Sequence, residues 1–294
     1  MKVSRCTGRR LVEYENRQPK EGINITKVHP LKQFIQLAIG ALVLVIMLVT
    51  VLQISGGWLA KFVPFKFELA VMKELDVEFG DSPDHPQLTV YLNDLAQRVT
   101  PYMDLPESMH VDVHYNSADV FNAFATVGGN LVFYKGLLKD MPDENTLAMV
   151  MAHEIAHVLH RDPIASLGGG VASTFALLAL TGSAGSTMAG SVLNTAGTIT
   201  SVQFTRGMEE AADQSALTAL NAHYGHVNGA TALFDMFSDA QGPTSRSSRA
   251  LERFLSTHPR DQDRASDVRE RVLSEGWTMQ GQLTPLPHGF DRWL

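Results

Sequence analysis

Only one of the 294 residues is cysteine, Cys6, and it lies in the basic N-terminal stretch. An intramolecular disulfide framework and a cysteine-ligated metal are therefore both excluded, and everything after residue 6 is free of thiols that an oxidising compartment would attack. No lipobox surrounds Cys6, which argues against a lipoprotein anchor. Basic residues are outnumbered, 24 Lys+Arg against 31 Asp+Glu, giving a net charge of −7. With no basic stripe, a nucleic acid partner is not expected. The 43 residues Pro163–Thr205 carry no charge at all. No internal repeat is visible.

One long apolar run is present. Phe34–Ile54 has no charge over 21 residues, enough at ~1.5 Å per residue to cross a bilayer core of ~30 Å. A cleaved signal peptide is the competing reading. Its basic region would be too long, its apolar stretch too long, and Ser55-Gly56-Gly57-Trp58 has no A-x-A site. The run therefore reads as an uncleaved signal anchor. Residues 1–33 hold eight Lys/Arg against three acids, a net of +5 that belongs in the cytoplasm. Trp58, Phe62 and Phe65 are expected at the far interface. The remaining chain then faces the periplasm of a bacterium, anchored by a single pass in the inner membrane; no Ser/Arg-rich transit segment points elsewhere.

Chemistry concentrates in His153-Glu154-Ile155-Ala156-His157. Pro142-Asp143-Glu144-Asn145 starts a helix, and Leu147, Val150, Met151, Ile155, Val158 and Leu159 recur at helical spacing. Histidines four apart share a face and can bind one metal ion, with Glu154 placed to take a proton from metal-activated water. A buried helix carrying two unrelated histidines is the plain alternative, so the reading needs a third ligand. Glu209, 52 residues beyond His157 in Thr205-Arg206-Gly207-Met208-Glu209-Glu210-Ala211-Ala212-Asp213, is the candidate. Asp213 shares its face and suits orienting a ligand histidine through its distal N–H. Arg206 pairs with Asp213, lines the site, or is a surface arginine. His160 would close the site as a further ligand and is expected beside it or in solvent.

The H-E-x-x-H with a downstream E-x-x-x-D resembles the HtpX-like and CaaX-prenyl-endopeptidase-type membrane-associated zinc metallopeptidases, a group of gluzincins. Asn122-Ala123-Phe124-Ala125-Thr126-Val127-Gly128-Gly129 looks like the family's N-A-F-A-x-x-G-G segment, and Ser256-Thr257-His258-Pro259 with Arg264 like its S-T-H-P-x-x-x-x-R. Val127 departs from the family's usual proline. The resemblance covers roughly Pro86 to Val272. It implies one Zn²⁺ per chain and a place near the site for His258, where it would stabilise the oxyanion. The block Asn122, Ala123, Phe124 and Ala125 reads as an exposed edge strand to which an extended peptide adds by main-chain hydrogen bonds. An ordinary core hairpin, turning at Gly128-Gly129, is the other reading.

The expected fold is α+β: a transmembrane helix, then a mainly helical zincin-type domain with a small antiparallel sheet. The expected divisions are a basic cytoplasmic tail (1–33), the anchor (34–54), a juxtamembrane linker and helix (55–85) and the metallopeptidase domain (86–294). Helices are expected at Phe67–Phe79, Gln87–Val99, Asn228–Ala240 and Asp261–Leu273, strands at Val111–Tyr115 and Asn130–Tyr134. Within the domain, 163–205 is an uncharged lid or a membrane-touching hairpin; its apolar core of about ten residues falls short of the ~20 a span needs. From Thr284 the tail packs back or hangs free. These features together predict a membrane-anchored zinc metalloendopeptidase that cleaves unfolded or damaged membrane and exported proteins, with polypeptides and the bilayer as partners. The rival is a membrane-tethered, chaperone-like protein that binds unfolded chains with little or no proteolysis.

Overall fold

The structure, a computed structural model, describes residues 30–75, 79–80, 84–168, 203–232, 258 and 264–294. It divides into two compact units, Met1–Met47 and Leu48–Leu294. Helix α1, Pro30–Ala60, includes the expected apolar run and is long and apolar enough to cross a membrane. Its large apolar side chains are exposed, among them Leu37, Leu42, Ile46 and Ile54. A soluble helix would have to bury such a surface; lipid has no such requirement.

In the second unit, α2 (Phe65–Leu75) and α3 (Pro86–Val99) lead to strand β1 (Asp112–Asn116). Strands β2 (Ala123–Ala125) and β3 (Asn130–Tyr134) follow, then a short α4 (Lys135–Leu138). The sheet order is β1-β3-β2. β2 and β3 pair antiparallel, as a local hairpin should, with Phe124 opposite Val132. β1 pairs parallel with β3, Asp112 opposite Asn130, so the small sheet is mixed rather than wholly antiparallel. Gly128 and Gly129 make the β2–β3 turn with φ of +75° and +77°, the left-handed region that a β-carbon disfavours.

Helix α5 (Glu144–Leu159) starts at Asp143, whose side chain accepts from the Thr146 N–H at 2.8 Å. Nearly every residue of α5 is buried, because α3, the sheet and α6 (Arg206–Tyr224) all pack on it. Thr205 caps α6 by accepting from the Met208 N–H, and Gly225 ends it at φ +75°. Helix α7 (Arg264–Ser274) packs against α6. The core runs through Leu88, Leu92, Tyr115, Phe133, Leu147, Met151, Ile155 and Leu220. Phe65 belongs to this core at 5% exposure; it is not an interface aromatic, whereas Trp58 and Phe62 are exposed.

A four-residue helix, α8 (Phe290–Trp293), sits in a tail that packs back. Thr284 is bonded at both its amide and carbonyl to the start of α5, through Asn145 and the Glu144 N–H. The Tyr115 hydroxyl donates to the Leu294 carbonyl at 2.7 Å, and Phe290 lies against Tyr91. Residues 162–168 are helical. Most of the expected lid, 169–202, lies outside the described residues, as do the basic tail up to residue 29, the loop Gln241–Ser248 and most of the helix expected at 228–240.

Candidate metal centre

The 3.6-residue period of α5 puts His153 and His157 one turn apart on the face toward α6. Their Nε2 atoms are 3.1 Å from each other. Glu209, in the first turn of α6, brings Oε2 to 3.5 Å from His153 Nε2 and Oε1 to 3.4 Å from His157 Nε2. His258 completes the group, its Nδ1 3.1 Å from Glu209 Oε1. One donor atom from each of the four lies within 4.8 Å of every other, and all four residues are buried.

The outward-facing nitrogens of the two α5 histidines are held. His153 Nδ1 is 2.9 Å from Asp213 Oδ1, and His157 Nδ1 is 3.0 Å from Asp162 Oδ2. A carboxylate there requires an N–H on Nδ1 and leaves the Nε2 lone pair facing the cluster. Arg264 donates to both oxygens of Asp213 and, through Nη1, to Glu209 Oε2 at 2.9 Å. Phe204 stacks on the His157 ring at 3.9 Å between centroids.

Burial alone would raise the Glu209 carboxyl, but the positive field of His258 and hydrogen bonds from His153, His157 and His258 hold it well below the carboxylate range. For His153, burial opposes the charged form, yet the bonds to Asp213 and Glu209 outweigh it and push the pKa up to about 10. With the carboxylates of Glu209 and Asp213 on either side of the buried imidazole, this is a nest where a cation belongs.

Glu154 supplies the second sign. It is fully buried, and among the described residues neither carboxylate oxygen has a hydrogen-bond partner. Its Oε1 is 3.5 Å from His258 Nε2. An unpartnered buried carboxylate costs roughly 1–3 kcal/mol or more, so it marks a place where a water or substrate group is to be met. The donor set and this orphaned acid both fit a bound metal ion.

Residues 86–272, more than half of the chain, match Peptidase family M48. The chain belongs to this family. It is 28% identical over 216 residues to the beta-barrel assembly-enhancing protease of Escherichia coli K12, covering 66% of this chain and 41% of that one. It is 27% identical over 208 residues to the mitochondrial metalloendopeptidase OMA1 of Schizosaccharomyces pombe, covering 67% and 58%. With the metalloprotease YcaL of Escherichia coli it shares 26% identity over 163 residues, covering 54% and 61%. The chain thus spans from about two fifths to three fifths of the length of these relatives, all of them named as proteases or peptidases.

For this M48 chain, His153, His157, Glu209, Glu154 and His258 come together as the motifs suggest, and Asp213 stands behind His153. His258 joins the donor cluster through Nδ1 on Glu209, while its Nε2 faces Glu154 and the Ala123 carbonyl. The arginine on Asp213 is Arg264, not Arg206, which lies exposed at the start of α6. His160 stays outside the cluster, its Nε2 3.2 Å from Ser215 Oγ. The block 122–125 does contain the sheet's terminal strand, but it is not exposed. Asn122, Ala123, Phe124 and Ala125 are all buried, α5 packs on β2, and the Ala123 carbonyl lies 3.3 Å from His258 Nε2. Sequence reasoning missed Asp162 and Phe204. Asp162 follows the end of α5, beyond the helical spacing that exposed the other partners.

Proposed function

We propose that this chain is a membrane-anchored zinc endopeptidase, and the observation that carries the reading is the buried Glu154, which accepts no hydrogen bond among the described residues, beside a His/His/Glu cluster. His153, His157 and Glu209 would hold the ion. Their mutual distances of 3.1–3.5 Å suit zinc, since a tetrahedron with arms of about 2.0–2.1 Å has edges of about 3.3 Å. Imidazole and carboxylate donors without sulfur suit it too. When bound, zinc supplies Lewis acidity that brings a water's pKa towards ~7 and polarises the scissile carbonyl.

The chain's own residues do the rest. Glu154 accepts the proton of the attacking water and delivers it to the leaving amine. Asp213 and Asp162 hold the two imidazoles in the tautomer that presents Nε2. His258 Nε2, between Glu154 and the Ala123 carbonyl, is placed to donate to the oxygen that gains charge as the carbonyl is attacked. The buried β2 edge bounds the site, so an incoming peptide meets it only where cover is displaced.

Helix α1 and the +5 charge of residues 1–33 support a single pass with the N-terminus in the cytoplasm, the active site in the periplasm and the bilayer as a partner. Unfolded or damaged membrane and exported proteins are the substrates this placement favours, which makes quality control the proposed role. The chain's four-part division, 1–33, 34–54, 55–85 and 86–294, is proposed on the same grounds.

The test is on detergent-solubilised full-length protein, wild type beside Glu154→Gln, with zinc content and cleavage of an unfolded model protein measured in both. Zinc retained and cleavage lost in the variant is the expected result. Equal cleavage by both would refute Glu154 as the base. No cleavage by either, with zinc in both, would favour the chaperone-like alternative.

A further inference from the structure

The last turn of α1 meets the residues just beyond the motif helix at backbone range. A β-carbon on Gly57 would lie 2.8 Å from the Ala165 carbonyl oxygen. One on Gly168 would lie 2.6 Å from Ala60 Cβ and 2.8 Å from the Gly56 carbonyl oxygen. Small residues on both sides permit this approach, and nothing larger fits.

Side chains reinforce the junction. Lys61, the first residue past α1, donates to Asp162 Oδ1 at 3.2 Å, while Asp162 Oδ2 faces His157 Nδ1 at 3.0 Å. Next to it, Arg161 is held at φ +64°, a conformation costing a non-glycine residue roughly 1 kcal/mol or more. Its guanidinium donates to the Val63 carbonyl and pairs with Glu68 Oε1 at 2.6 Å. Glu68 Oε2 in turn accepts from the Gly128 N–H at 2.9 Å, in the turn beside β2. Residues 61–68 are thus bonded to the end of the motif helix and to the strand turn.

We propose that Lys61 is a positioning residue for His157, acting through Asp162, so that the base of the anchor helix is part of the metal site's framework. This rests on the reading of His157 as a metal ligand and α1 as an anchor. A carboxylate with both oxygens engaged has one orientation. Without Lys61, the buried Oδ1 loses its donor and Asp162 is released to turn, taking its hold on the imidazole with it. An ordinary exposed lysine–carboxylate pair would contribute ~0–1 kcal/mol and nothing at a distance. Here the acid is 1% exposed and its second oxygen is on the ligand.

The experiment uses the full chain in detergent, with Co²⁺ as a spectroscopic probe and Zn²⁺ affinity measured by chelator competition. The proteins are wild type, Lys61→Met, Lys61→Arg, Asp162→Asn, the Lys61→Met/Asp162→Asn double variant, and Lys66→Met as a surface control. Partners of ligand histidines typically change affinity by 10–100-fold, so about tenfold weaker binding and an altered cobalt absorption band are expected for Lys61→Met. Lys61→Arg should recover most of the affinity, Lys66→Met should match wild type, and the double variant should be no weaker than Asp162→Asn. Wild-type affinity and spectrum in Lys61→Met, or additive losses in the double variant, would overturn the proposal. Near-ultraviolet circular dichroism checks each fold; should Lys61→Met unfold, Lys61→Gln is measured in its place, and a wild-type cobalt band and affinity in that folded variant would overturn the proposal, because a lysine serving only bulk stability would leave both unmoved. His157→Ala separates the underlying reading: unchanged metal binding there would sink the ligand assignment itself.

Discussion

Arg264 grips both oxygens of Asp213, with Nε 2.8 Å from Oδ2 and Nη2 2.7 Å from Oδ1. This fork fixes the carboxylate that holds His153, while Nη1 reaches Glu209. Lysine has one compact charge and cannot span the three oxygens. Arg264→Lys should therefore weaken metal binding by about 10–100-fold with little change in secondary structure. Chelator competition measures the first and far-ultraviolet circular dichroism the second.

Glu144, at the start of α5, accepts from Arg98 at 2.8 and 3.0 Å and from the hydroxyls of Tyr91 and Tyr224 at 3.0 and 3.2 Å. Burial pushes its carboxyl up, but Arg98 and the tyrosines outweigh that and hold it below its ordinary value of 4.5. Because the folded pKa is the lower one, the network's stabilisation is complete above about 4.5 and fades as the pH falls through and below it. Glu144→Gln should lose about 2 kcal/mol at pH 7. The difference in Tm between variant and wild type should shrink as the pH is lowered to 4, which thermal melts across that range would show.

Both the motif helix and its partner were legible because their chemistry repeats at the helical period. His153 and His157, then Glu209 and Asp213, are each one turn apart, and capping residues bracket their helices. Asp162 escaped because it lies past the end of α5, where no period applies. Arg206 stood open between pairing with Asp213, lining the site and being a surface arginine; the first position of α6 leaves it exposed, while Arg264 reaches Asp213 from another helix. The exposure of β2 was misread for a related reason. Its short alternation shows a strand, but cover by α5 and His258 is set by distant chain. The parallel pairing of β1 with β3 likewise depends on a nonlocal contact that no local signal records.

Gly129 holds φ +77°, and a β-carbon there would run into the His110 carbonyl oxygen. Gly129→Ala should cost more than about 1 kcal/mol from the backbone conformation alone, before the clash is added. Chemical denaturation should show a lower midpoint with an unchanged slope.

Removing the metal should loosen the fold as well as stop catalysis. Four buried polar residues from two helices and a separate segment would face one another with no cation between them. At zinc about 1,000-fold above its Kd, binding contributes about 4 kcal/mol to the folded state. Chelation should therefore lower Tm by roughly 10 °C at this chain size. Added zinc should restore it, and calorimetry with and without chelator is the check.

Tyr115 in β1 donates to the carbonyl of Leu294, 179 positions later, and Thr284 is bonded to the first turn of the motif helix. Strand β1 is therefore not fully seated until residues 284–294 have been made. Those residues lie about 140 positions beyond the motif helix, so the start of that helix stays incomplete until the intervening chain has been made. A peptidase that assembled earlier could cut its own nascent chain. The long-range closure delays assembly of the metal centre until residues 284–294 are in place, at the expense of slower folding.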